Sequence, residues 1–165
     1  MATKADFTPE EWQKVMGAPM LASLAVTFAE PSGLFGVLKE SMAGSQALIE
    51  AKNAPGAIGL VKAIGDAMGE LADRNAAKEG LQAELTGRTN AEMKAQALAA
   101  LAEVGKIVDA KAPADAEAFK AWLKQVAERV AEAASEGGFL GFGGVKVSDA
   151  EKATIAEIAM ALNVA

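Results

Sequence analysis

The stretch from Met20 to Ala29 constrains this chain more than any other. Leu21, Leu24, Ala25, Val26 and Phe28 make it apolar nearly all round, relieved only by Ser23 and Thr27. It is about half the length that a membrane span requires. It is also too apolar for a surface helix, which keeps one polar face toward water. A helix of this kind belongs in the middle of a bundle, wrapped by others.

The remaining chain supplies such helices. Thr8-Pro9-Glu10-Glu11 opens the first: Thr8 caps, Pro9 suits the first helical position, and Glu11 completes a capping box. Trp12, Val15 and Met16 then share one face, and Gly17-Ala18-Pro19 is expected to end or kink the helix, since Pro19 has no N–H to donate. After the Met20–Ala29 run comes a corner at Glu30-Pro31-Ser32-Gly33, and then a helix turning Leu38, Met42 and Ile49 inward. Asn53-Ala54-Pro55-Gly56 is a turn by its chemistry. Val61, Ile64, Met68 and Leu71 recur with helical spacing, on a helix whose Gly65 and Gly69 leave room for a close neighbour.

Asp73 to Glu84 is polar and interrupted by Gly80, which reads as a frayed or broken helix. Thr89 or Asn90 caps the next helix, whose buried stripe is Met93, Ala97, Leu101, Val104 and Val108. Beyond Lys111-Ala112-Pro113-Ala114-Asp115, with Asp115 as the expected cap, a helix buries Phe119, Trp122, Leu123, Val126 and Val130 and keeps Lys120, Lys124, Glu128 and Arg129 wet. Val145-Lys146-Val147 reads as extended. Ser148 and Glu151 form a capping box for a last helix burying Ile155, Ile158 and Leu162. Six or seven helices in one compact all-α bundle, a single domain over 1–165, is the expectation.

Two corners break the pattern. Ala29-Glu30-Pro31-Ser32-Gly33-Leu34-Phe35-Gly36 and Ala134-Ser135-Glu136-Gly137-Gly138-Phe139-Leu140-Gly141 both read Ala-x-x-x-Gly-apolar-apolar-Gly, which suggests two helix–corner–helix halves. Leu34, Phe35, Phe139, Leu140 and Phe142 are bulky apolar residues in turns. They either plug the ends of the bundle or contact a partner or ligand.

Composition narrows the chemistry. The chain has neither His nor Cys, so imidazole bases, thiol nucleophiles and the usual zinc ligands are excluded. Its net charge of −6 argues against nucleic acid, which calls for a basic face. The glycine-rich corner lacks the Gly-Lys-Ser/Thr of a phosphate loop and follows no strand. An oxygen-only site for a divalent cation such as Mg²⁺, Ca²⁺ or Mn²⁺ is allowed, with Glu30, Glu136, Asp149 and Glu151 as its candidates. For Asp149 and Glu151, helix capping is the competing role. The first residues lack a signal-peptide core, so a soluble cytoplasmic protein is expected.

The sequence from the second corner through Val147-Ser148-Asp149-Ala150-Glu151-Lys152 to Ala161-Leu162-Asn163-Val164 resembles the tellurite-resistance TerB-like helical domains. These carry an Ala-Asp-Gly corner followed by Ser-x-x-Glu and an apolar helix. The resemblance implies an all-helical bundle of two related halves and a divalent metal held by acidic residues, here Glu136 and Glu151. The chain departs from that pattern in having Glu136 followed by two glycines and a longer, more aromatic loop. The function expected from all of this is non-enzymatic and cofactor-free: binding to another protein or self-association, with a TerB-like, stress-related cation-binding domain as the alternative.

Overall fold

The computed structural model describes residues 2–29, 46–53, 57–135 and 147–165. Among the described residues every regular element is helical. A short 3-10 turn, Lys4–Asp6, precedes α1 (Pro9–Thr27), a helical run α2 over 46–53, α3 (Gly59–Ala67), α4 (Leu71–Glu84), α5 (Asn90–Lys111), α6 (Pro113–Ser135) and α7 (Asp149–Leu162). The chain is an all-α bundle, and none of these helices is long and apolar enough to cross a membrane.

The apolar run does occupy the centre. Helix α1 packs against α4, α5, α6 and α7, and buries Trp12, Val15, Met16, Ala18, Leu21, Ala22, Ala25 and Val26 around most of its circumference. Facing it are Leu101, Val104 and Val108 of α5 and Phe119, Leu123, Val126 and Val130 of α6. Each large aliphatic or aromatic side chain so buried contributes roughly 1.5–3 kcal/mol, which makes this layer the main source of stability.

Three helix starts follow their local signals. Thr8, Thr89 and Ser148 each accept from the backbone N–H three residues on, and Glu11, Glu92 and Glu151 reach back to complete the boxes. Asp115 lies in the first turn of α6 rather than capping it, and accepts from Ala2 N at 2.9 Å.

Elsewhere the packing overrides local expectation. Helix α1 runs unbroken through Pro19. An interior proline costs about 3 kcal/mol, but Val15, Met16 and Ala18 before it and Leu21 and Ala22 after it are buried, and that burial outweighs the missing hydrogen bond. Helix α4 is continuous where a broken helix was expected: Ala77 and Leu81 dock on α1, and Gly80 lets the Gln13 side chain lie across the backbone toward the Ala76 carbonyl. Leu71 begins α4 instead of ending α3, and stands 65% exposed. Ile49 points outward at 60% exposure. Lys120, expected in water, is buried with its ammonium 2.8 Å from Asp109 Oδ1. Val147 is in a bend, and the residues before it in that expected extended stretch lie outside the described part.

Candidate functional site

Side-chain contacts fix the relative directions of α1, α5, α6 and α7. Lys14 on α1 pairs with Glu103 on α5 at 2.8 Å, and Glu11 lies 3.6 Å from Lys111, so these two helices are antiparallel. Helix α6 returns from α5 after Ala112 and pairs Lys120 with Asp109, so it is antiparallel to α5 and parallel to α1. Helix α7 runs with α5: Lys94 meets Glu157 at 2.6 Å, in an ion pair not aligned as a directed hydrogen bond, and Leu162 lies against Gly105. Midway along α6, Lys124 donates to the Ala165 carbonyl at 2.8 Å.

The consequence is that α1 and α6 finish, and α5 and α7 begin, at the same end of the bundle. Both corner segments therefore start from that end, one after Ala29 and one after Ser135, and the second returns there at Val147. Leu34, Phe35, Phe139, Leu140 and Phe142, expected to make the partner or ligand contact, lie outside the described residues, as do Glu30 and Glu136. Part of the described surface leading to this end is apolar. On α1, Met20, Leu24 and Phe28 follow one another four residues apart on one face; Met20 is 48% exposed and the other two are only partly covered.

Of the four carboxylates proposed for a cation, two are described, and both are engaged with α7. Glu151 is buried and accepts from Ser148 N at 2.8 Å, while its own N–H donates to Ser148 Oγ at 3.1 Å. Asp149 is fully exposed and pairs with Lys152 at 3.3 Å. Negative charge there complements the positive end of the helix dipole. Among the described residues no three acidic side chains come together as a metal ion requires.

The described ionic surface is a set of clamps between helices. Lys14 bridges Glu103 and Glu84, tying α1 to α5 and α4, and the hydrogen bond it donates to Glu103 raises its pKa above the usual lysine value. Arg129 on α6 pairs with Glu50 on α2 and holds that carboxyl below the usual range, first by hydrogen bonding and then by its charge. Lys52 on α2 does the same to Asp66 on α3 at 2.8 Å. Helix α2 is thus clamped on both sides.

Behind Glu50 and Arg129 opens a cleft of about 430 Å³ between α2, the entry to α3 and α6. The periodicity of the sequence places Trp122 in the core, and nothing in it brings Ala47 and Ala51 opposite that residue. The nearest signal is their i, i+4 spacing, which puts two small side chains on one face of α2. Comparison of the chain with protein-family models, with curated proteins and with solved structures finds no match.

Proposed function

We propose that this chain is a non-enzymatic binding protein, and that it binds another protein or a second copy of itself at the end of the bundle where α1 and α6 finish. The observation carrying this reading is the half-covered stripe of Met20, Leu24 and Phe28, which runs toward the end from which both apolar corner segments start. Met20, Leu24 and Phe28 by themselves offer one contiguous apolar contact. A hydrophobic patch of this sort, ringed by polar residues, suits association with a protein surface. The net charge of −6 favours a neutral or basic partner over a polyanion.

The test is native mass spectrometry and sedimentation of the full chain over a concentration series, comparing the parent with Phe139→Ser/Phe142→Ser and with Leu34→Ser/Phe35→Ser. Each pair is expected to abolish self-association, or retention of a defined stoichiometric partner, while leaving the helical circular dichroism and thermal transition in place. A parent chain that stays a bare monomer throughout and retains no stoichiometric partner overturns the proposal. So does loss of folding in both variants, which would make those residues core, or association that either pair leaves intact.

A further inference from the structure

We propose that the cleft between α2 and α6 is a binding site for a small amphipathic carboxylate, with Arg129 receiving the acid group and Trp122, Ile58, Ala47 and Ala51 receiving the hydrocarbon body. The site is separate from the end of the bundle and does not depend on the protein-binding reading.

Three observations converge on it. The first is size and shape: about 430 Å³ of concave space lies within the range of small-ligand pockets, roughly 300–1,000 Å³. The second is the lining. Ala47 and Ala51 give α2 a smooth face opposite Trp122, and Ile58 closes the side at the entry to α3. Small side chains on one wall and an aromatic on the other leave a slot for a flat or branched apolar group. Ion pairs clamp α2 to both α3 and α6, so this wall is held rather than loose.

The third is the chemistry of the rim. Arg129 is half exposed, and among the described residues its guanidinium is engaged only through Nη1, by Glu50. A guanidinium carries five N–H donors in a planar fork suited to two carboxylates side by side. Among the described residues nothing accepts from the remaining donors, which sit beside an apolar slot. Gln125, on the same face of α6, adds an amide able to donate to the second carboxylate oxygen. A ligand amine would meet the positive charge of Arg129, whereas a ligand carboxylate adds an acceptor on the open side of the fork and leaves the Glu50 pair in place. Glu50 is ionised through the neutral range like any ordinary carboxyl, and Arg129 lowers its pKa further, so the clamp stays charged as the ligand enters.

The experiment uses two fluorescent probes that share one aromatic body, dansylglycine with its carboxylate and the neutral dansylamide, titrated into the full-length chain. Saturable one-site binding of dansylglycine is expected. Arg129→Gln is expected to weaken dansylglycine about five- to tenfold, as loss of a charge-assisted pair does, and to weaken dansylamide clearly less, since that probe loses only the Glu50 clamp. Ala51→Phe, which fills the slot, is expected to abolish both. Absence of saturable binding overturns the proposal, as does equal weakening of both probes by Arg129→Gln, or binding indifferent to that substitution. Should Ala51→Phe fail to fold, the Arg129→Gln comparison decides alone, because that side chain is on the surface.

Discussion

Replacing Asp109 with alanine should destabilise the bundle more than replacing the buried lysine it pairs with. Lys120 is 6% exposed, and its aliphatic stem passes Gly105 of α5. Its ammonium has one described partner, Asp109 Oδ1 at 2.8 Å, and the Asp109 side chain is itself half in water. Asp109→Ala strands the ammonium in a poorly hydrated position. Losing a charge-assisted hydrogen bond costs about 1.5–3 kcal/mol, and breaking a wholly buried pair costs about 3–5. The exposure of Asp109 places the expected loss in the lower range, about 1.5–3 kcal/mol. At roughly 2–4 °C per kcal/mol for a chain of this size, the thermal midpoint should fall by about 3–12 °C. Lys120→Met keeps the stem in its packing, removes the charge that is hard to bury and releases Asp109 to water, so it should lie within about 1 kcal/mol of the parent. The double variant should match Lys120→Met. The assay is urea and thermal unfolding followed by circular dichroism at neutral pH, read as a double-mutant cycle. If Lys120→Met costs as much as Asp109→Ala, or Asp109→Ala costs less than about 0.5 kcal/mol, the ammonium is adequately hydrated and the reasoning fails.

Two further expectations follow from local geometry. A Cβ at Gly17 would meet Leu81 Cγ at 3.6 Å and one at Gly105 would meet Leu162 at 3.8 Å, both ordinary contacts, so alanine at either position should add about 0.5–1 kcal/mol to unfolding stability through helix propensity. Alanine at Gly65 would sit 2.6 Å from Lys52 Cδ and should instead lower stability and weaken the α2–α3 contact; a gain there in the same unfolding assay would show that the lysine stem yields freely. Acid should act through Glu50, Asp66, Asp6 and Glu92, whose folded pKa values are depressed by Arg129, by Lys52 and, for the last two, by backbone N–H groups at their capping boxes. A depressed folded pKa gives stability that is complete above the unfolded value, near 4, and is lost as pH falls through the folded one. The thermal midpoint should therefore decline below about pH 4.5, with a smaller decline near 1 M salt, where the two surface pairs are screened. A midpoint that holds or rises between about pH 5 and 3 would contradict the assignment.

The features legible in the chain are those set by neighbours in sequence. The capping boxes at Thr8 and Ser148 need only four consecutive residues and form as their letters predict, and of Thr89 and Asn90, both expected as caps, it is Thr89 that caps, with Glu92 completing the box. The central place of the Met20–Ala29 run is legible for a related reason: a segment with no polar face has nowhere else to go. Pro19, Leu71, Ile49 and Lys120 were not legible. Whether a proline interrupts a helix depends on how much burial its two flanks gain, and whether a lysine is wet depends on which helix stands opposite it. The candidate surfaces divide in the same way. The apolar corners could be read from composition, but the departure of the chain from one end of the bundle after Ala29 and after Ser135 rests on α1 and α6 running parallel, which the pairs Lys14–Glu103, Glu11–Lys111 and Lys120–Asp109 reveal. The cleft beside Trp122 has no local signature, since Ala47 and Ala51 are unremarkable until α6 faces them. The sequence by itself determined the helical class, the helix starts and the central helix, because propensity, capping and periodicity act within a few residues. Only the tertiary structure decided helix direction, the fate of the exceptional residues and the shape of the surface, because these follow from packing between distant segments.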